Sequence, residues 1–331
     1  VMSKLLNVRQ AHVRYPLADH LIARLTGNHQ PWVNVVRGVS LAIDKGETLA
    51  VVGESGSGKT TLVMALMGLV PLHRGEVEFE SKPILQGPRG HLKPDRRRVA
   101  MMFQDPVGSL SPRMTVRAAL AEPFEIHAPE VKDTGAEVAR LLDLVGLPAE
   151  FADRYPHQLS GGQARRIGVA RALALDPALL IADEPTAGLD VSIQGDVLNL
   201  LSGLQKRLGL GIVIITHNLN IVRHVADHMA IMYLGQFVEQ GTSEDIFRHP
   251  RHPYTKALLS ANPNPDPDAQ SDRLDLAGEV PSLLNVPGGC EFHTRCPFVQ
   301  ADCRESVPVS REAAPGHVFQ CHYPLKDMLD G

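Results

Sequence analysis

The run Gly53-Glu54-Ser55-Gly56-Ser57-Gly58-Lys59-Thr60 fits the spacing G-x-x-x-x-G-K-[ST], a pattern able to hold a nucleoside triphosphate. Its glycines let successive backbone N–H groups turn inward around phosphate oxygens, and a helix starting there offers its positive dipole end to the same anion. Lys59 is placed to reach the outer phosphates, and Thr61 is grouped with the loop as a nucleotide contact. Thr60 offers a hydroxyl to Mg²⁺, an ion that keeps most of its waters and shares few protein ligands.

Four further places in the chain carry complementary chemistry. Ser160-Gly161-Gly162-Gln163 puts a capping hydroxyl and two glycines at a helix start, which makes a second anion seat. Asp183-Glu184 closes the apolar run 178–182; Asp183 suits the Mg²⁺ shell, and Glu184 can orient and deprotonate an attacking water. The competing reading of that pair is a solvated acidic turn before Pro185. Gln104 and His217 end two other apolar strands, and in open α/β sheets ligands gather at the carboxyl ends of strands. His217 therefore reads as a γ-phosphate contact, whereas His224, His228, His249 and His252 have no such placement.

These residues need strands and helices to hold them. Residues 47–52 read as a buried strand entering the phosphate loop and 61–67 as an apolar helix leaving it. Residues 3–15 alternate as an edge strand up to Tyr15-Pro16, where Tyr15 either stacks on an adenine ring or is an ordinary packed aromatic. The segment 16–34, with Trp32, reads as an inserted loop, and 38–47 as a strand and tight turn. Strands are expected at 76–79, 99–103, 178–182 and 211–216, with 87–98 a basic surface loop. Between 105 and 159 the strand signal vanishes, and amphipathic helices at 116–124 and 135–145 mark an inserted helical subdomain. Helices 164–175 and 191–208 follow, the second with Val197, Leu200, Leu201 and Leu204 on one face.

The 331-residue chain has a net charge of −4, so no basic excess points to nucleic acid. No apolar run reaches the roughly 18 residues of a membrane span, and no charged-then-apolar leader is seen, so a cytosolic protein is expected. Val1 ahead of Met2 reads as an added residue and is left out. All four cysteines lie late in the chain, at 290, 296, 303 and 321, after the Pro/Asp-rich linker 262–268. Four thiols so close suit a tetrahedral Zn²⁺ or a [4Fe–4S] cluster, although the C-x₂-C spacing common in zinc sites is absent; plain buried thiols or a labile disulfide are the alternative. His293, His317 and His322 are available as substitute ligands.

Taken in order, these motifs resemble the ATPase subunit of ATP-binding cassette transporters over residues 3–260. The resemblance rests on the Walker A loop 53–60, the Q-loop Gln104, the signature 159–163, the Walker B strand 179–183 with Glu184, the D-loop Asp190 and the switch His217. It implies an α/β P-loop NTPase core with an antiparallel β subdomain, an inserted helical subdomain at about 105–175, and a small cysteine-containing extension over 263–331. It also implies ATP held between the Lys59 loop of one subunit and Ser160-Gly161-Gly162 of another, with Gln104 completing the Mg²⁺ shell beside Thr60 and Asp183.

Segments such as Gly108-Ser109-Leu110-Ser111-Pro112-Arg113 and His252-Pro253-Tyr254-Thr255-Lys256-Ala257-Leu258-Leu259 look like the dipeptide/oligopeptide import branch, and the insertion after Pro16 like the second of its paired ATPases. The partners so implied are a second cassette ATPase, two membrane permeases and a solute-binding protein, with no nucleic acid, at the cytoplasmic face of the cell membrane. The cargo so implied is peptide, with nickel, glutathione and opine-like compounds carried by similar subunits. A soluble cassette ATPase without a transport role is the remaining alternative. In that branch this kind of cysteine set has been associated with an iron–sulfur cluster, which would make Cys290, Cys296, Cys303 and Cys321 its ligands.

Overall fold

The computed structural model describes residues 4–17, 32–103, 105, 108–261, 274, 276 and 278–325. In chain order the elements are β1 (Leu6–Pro16), β2 (Trp32–Ile43), β3 (Thr48–Val52), α1 (Lys59–Leu66), β4 (Arg74–Phe79), β5 (Lys82–Pro83), β6 (Val99–Met102), α2 (Val116–His127) and α3 (Thr134–Leu144). After these come α4 (Gly161–Ala172), β7 (Leu179–Asp183), α5 (Val191–Leu208), β8 (Gly211–Thr216), α6 (Leu219–Val225), β9 (His228–Tyr233) and β10 (Gln236–Thr242). The C-terminal part adds α7 (Ser243–Arg248), α8 (Pro253–Ser260), α9 (Asp302–Glu305), β11 (Arg311–Ala314) and β12 (His317–Phe319). Two compact units divide these elements: one holds Ile43–Thr48 and Pro94–Ile215 with the N-terminal residues through Leu5, the other Leu6–Ala42, Leu49–Lys93 and the chain from Thr216 onward.

In the first unit β6, β7 and β8 run parallel, with Met102 beside Ala182 and Asp183 beside Ile215. Every residue of β7 and β8 is buried, as the continuous apolar runs require of strands covered on both faces. Equal register brings the carboxyl ends of β6 and β7 to one edge, and that edge carries Asp183. Thr115 caps α2 by accepting the Ala118 N–H at 3.3 Å, and Asp133 caps α3 by accepting the Ala136 N–H at 2.9 Å. Helix α2 runs three residues beyond the expected Phe124 because Pro123 costs it one backbone bond without ending it. Helix α5 ends on Gly209 at φ 63°, the left-handed cap that glycine takes without strain.

The second unit contains two sheets. One has the order β2-β1-β4-β5, with β1, β4 and β5 antiparallel and a bulge in β1 between Arg9 and His12. Trp32–Asn34, expected in a loop, instead opens β2, and Arg14 of β1 lies 4.4 Å over the Trp32 ring, a pairing the sequence spacing could not reveal. In the other sheet β3 lies parallel to β9, and β9, β10, β12 and β11 follow antiparallel. The core of this sheet joins Ala50 and Val52 of β3 to Tyr233, Tyr254, Phe292, Cys290 and Cys303. Residues beyond 289 thus share one apolar core with the strand that enters the phosphate loop.

A buried carboxylate ties this arrangement together. Glu239 of β10, 1% exposed, accepts the N–H groups of Arg251 at 2.7 Å and His252 at 2.9 Å and pairs with His317 Nε2 at 2.7 Å. A charge so deeply placed is tolerated only with several donors around it. His252 in turn accepts the Tyr254 N–H at 3.1 Å through Nδ1 and caps α8, a role that needs the neutral ring; burial pushes its pKa down to about 4.

The candidate nucleotide site

The phosphate loop belongs wholly to the second unit. It leaves β3 at Gly53 and enters α1 through Gly58, whose φ of 104° places it at the left-handed helix entrance that only glycine takes easily. A Cβ on Gly53 would lie 2.2 Å from the Met232 carbonyl oxygen, and one on Gly58 would lie 2.7 Å from the Val35 carbonyl oxygen. The glycines are therefore demanded by neighbouring backbone as well as by the anion. The turn between β9 and β10 braces the loop, the Gly235 N–H donating to the Ser57 carbonyl at 2.9 Å.

Lys59, 7% exposed, folds back on the loop and donates to the carbonyls of Gly53 at 2.7 Å and Glu54 at 2.9 Å. Its ammonium thus rests against the loop's own carbonyls and Ser57 Oγ, 3.4 Å away. No acidic residue stands in the first turn of α1, which leaves the positive dipole end uncancelled. Ser55, Gly56 and Thr60 are exposed, Ser57 is buried and Thr61 half-buried. The Tyr254 hydroxyl accepts the Glu54 N–H at 3.0 Å, and burial pushes that phenol well above its ordinary range, so it stays protonated. Tyr15 is half-buried at the end of β1.

The first unit carries the acidic and signature residues. Asp183, 3% exposed, is the last residue of β7. Glu184 follows at φ 49°, a left-handed conformation that costs a non-glycine residue free energy, and its N–H donates to the Ile215 carbonyl at 2.9 Å. That rare conformation turns the carboxylate out of the strand direction immediately after Asp183. Ser160 caps α4: its Oγ accepts the Gln163 N–H at 3.3 Å, and the Gln163 side chain accepts the Ser160 N–H at 3.0 Å. Gly161 and Gly162 face the D-loop region, where added Cβ atoms would meet Leu189 at 3.6 Å and Ile193 at 3.1 Å. Asp190 is the N-cap residue of α5 and is exposed.

Arg165 escaped the sequence reading. It is 4% exposed and donates to the carbonyl of Ala187 at 3.0 Å and to that of Pro185, so α4 grips the turn that follows Glu184. An arginine two residues after the signature Gln163 was the available signal, but one of three arginines in a helix does not stand out without coordinates. Of the other expected site residues, His217 is exposed just after β8, and Gln104 lies outside the described residues.

Cys290, Cys296, Cys303 and Cys321 are free thiols lining one small cavity of about 10 Å³ together with His252, His293 and His322. Four sulfur donors around one space are the right chemistry for a soft metal centre. As placed, however, they do not fit one: the space admits about a single water, and among the described residues no three His, Cys, Asp or Glu side chains are set to hold a metal ion. Burial also pushes the Cys290 thiol up to about 11 and Cys321 up to about 12 in the metal-free protein. The expected iron–sulfur cluster therefore finds no support in the side-chain positions. Gly289, at φ 66°, passes so close to Cys303 that a Cβ would lie 2.5 Å from that carbonyl oxygen.

Comparison with known proteins agrees with this geometry. A family profile described as "ABC transporter" matches residues 36–187, and another described as "Oligopeptide/dipeptide transporter, C-terminal region" matches residues 238–303. The oligopeptide transport ATP-binding protein AppF of Bacillus subtilis is 42% identical over 96% of this chain and 97% of its own length. OppF of Salmonella typhimurium, an oligopeptide transport ATP-binding protein, is 45% identical over 87% of both chains. Among solved structures, cbiO1 of Clostridium perfringens, part of the transporter complex cbiONQ, superposes with a TM-score of 0.62 at 28% identity over 74% of this chain and 91% of its own. A cassette dimer bound to ADP and phosphate reaches a TM-score of 0.60 at 24% identity over 72% of this chain and 98% of its own, a likeness of fold. The chain is an ATPase of the ABC transporter class and belongs to the ATP-binding proteins of the oligopeptide/dipeptide transporter family.

Proposed function

We propose that this chain is the motor of a peptide importer, working as one of two cassettes beneath a pair of membrane permeases. The observation that carries this reading is that residues 238–303, matched by the oligopeptide/dipeptide transporter profile, share a core with the strand feeding the phosphate loop. In this reading ATP lies on the Lys59 loop, with Ser160-Gly161-Gly162 of a second cassette closing over it. Thr60, Gln104 and Asp183 hold Mg²⁺, which would neutralise phosphate charge when bound. Glu184 takes the proton of the attacking water, while Lys59 and His217 stabilise charge on the departing phosphate oxygens. Asp190 lies at the cassette interface, and Tyr15 stacks on the adenine. The domain limits proposed are 3–262 for the cassette, with its helical part at about 105–175, and 263–331 for the extension.

A permease helix finds a suitable seat in the first unit. A groove of about 240 Å³ there is lined by Met101, Phe103, Glu122, Pro123, Ile126 and Arg171, with Phe103 48% and Ile126 63% exposed. Phe103, which lines it, immediately precedes Gln104 in the sequence. No helix among the described residues is long and apolar enough to cross a membrane; in this reading the permeases hold the assembly at the cytoplasmic face of the cell membrane. Affinity purification of the Glu184→Gln variant from native membranes with ATP, followed by mass spectrometry, tests the proposal. We expect two permeases, a second cassette ATPase and a solute-binding protein; soluble partners alone would sink the transport reading.

The finer reading of the cysteines, an iron–sulfur centre of structural role, rests on their donor chemistry and requires the small cavity to open. Iron and acid-labile sulfide measured on anaerobically purified protein decide it. About four of each per chain are expected for a cluster, and a metal-free protein of full ATPase activity overturns it.

A further inference from the structure

The second position of the phosphate loop carries a carboxylate, Glu54, in a loop whose amides and lysine must attract a triphosphate. A negative charge at that place opposes the ligand, since two like charges a few ångströms apart repel by kilocalories near a protein surface. The residue that answers it comes from 241 positions later in the chain. Arg295 donates to both Glu54 oxygens, Nη1 to Oε2 at 2.7 Å and Nη2 to Oε1 at 3.0 Å, a two-bond fork that fixes the plane of the carboxylate. Its side chain is 7% exposed against 29% for Glu54, so the partner is built into the core and the carboxylate is drawn down to it.

Arg295 is itself well held. Phe292, three residues before it, packs edge-on against Tyr233 and at a tilt against Tyr254, each at 5.4 Å between ring centres. Tyr254 in turn accepts the Glu54 N–H, so backbone and side chain of Glu54 are both fastened to the same aromatic group. Glu291, the residue before Phe292, pairs with Arg37 and accepts from Gln236 Nε2 at 3.1 Å, which ties the segment to the strands that brace the loop from the other side. Cys290 and Cys296 flank this five-residue stretch.

We propose that Arg295 is a positioning residue of the nucleotide site: it neutralises Glu54 and holds its carboxylate away from the phosphate seat, so the cysteine-bearing segment sets the affinity of the loop for ATP. The proposal deepens the motor reading and rests on the Lys59 loop being the ATP site. It assigns a nucleotide-directed task to a segment that contributes no group to the hydrolysis itself. Its consequence is that an otherwise unfavourable loop charge makes ATP binding conditional on the packing of residues 290–296.

The experiment compares wild type, Arg295→Gln, Glu54→Gln and the double variant in the assembled transporter, reading KM for ATP, kcat and thermal midpoint. Arg295→Gln leaves the carboxylate unopposed beside the phosphates and is expected to raise KM about tenfold, equivalent to about 1.4 kcal/mol, with kcat changed less than about threefold. Adding Glu54→Gln removes the repulsion and is expected to bring KM back to within about threefold of wild type. A purely structural ion pair would show its loss and its relief in the thermal midpoint alone, with KM unchanged at temperatures well below that midpoint, so the shift in KM read there carries the distinction. A double variant no better than Arg295→Gln, or an unchanged KM in Arg295→Gln, overturns the proposal. Should Arg295→Gln not fold, Arg295→Lys keeps one charge without the fork and is expected to raise KM by a smaller factor, again relieved by Glu54→Gln; absence of that relief is equally decisive. Wild-type protein that fails to bind ATP at all would instead remove the motor reading, a result separable from every outcome above.

Discussion

Glu184→Gln is expected to bind ATP with near-normal affinity and to release phosphate at least about 100-fold more slowly, the usual scale for losing a general base. The replacement keeps length, shape and the left-handed backbone, so the 49° φ and the bond from its N–H to Ile215 persist. What it loses is the ability to accept a proton. Steady-state phosphate release together with equilibrium nucleotide binding separates the two properties, and a thermal midpoint within about 2 °C of wild type certifies the fold. Normal turnover would take the role of base away from Glu184. The strained backbone adds weight to the assignment, because a conformation that costs free energy at the end of an otherwise regular strand is the kind kept at a working site.

Gly53→Ala should have the larger effect on stability. The added methyl would lie 2.2 Å from the Met232 carbonyl oxygen and 2.9 Å from Ser57 Oγ. The serine can rotate, whereas the carbonyl belongs to β9, which pairs in parallel with β3 along four registered residues. Relief therefore means displacing a central strand, at a cost above about 3 kcal/mol. Chemical denaturation should show a lowered midpoint, and nucleotide binding should be lost with it, since the loop amides move as β3 moves. A stable variant with intact binding would show that β9 gives way more easily than its pairing suggests.

Much of this site was legible before any coordinates because each motif is short and sits at the end of an element with a strong apolar signature. The strand into the phosphate loop, the buried runs ending at Asp183 and before His217, and the capped start of α4 at Ser160 all follow from local chemistry. What escaped has a common cause in long sequence separation. The bond from Tyr254 to Glu54 spans 200 positions and the Arg295 fork 241, and nothing in either neighbourhood announces the other. Trp32 escaped for a similar reason: its place in β2 is secured by a cation on the adjoining strand. The cysteines illustrate the opposite limit. Their spacing placed them around one cavity, yet spacing carries no information on the room between them.

The Glu239 cluster bears on how the chain is made. While the ribosome is still short of residue 317, β10 has its β9 neighbour but lacks β12, and the Glu239 carboxylate has not yet gained its imidazole partner. A half-finished polypeptide would thus expose an open strand edge beside an ion too costly to bury, which disfavours premature closure of that sheet. Completion of this sheet of the nucleotide-loop unit is in this way postponed until residues 317–319 have been made.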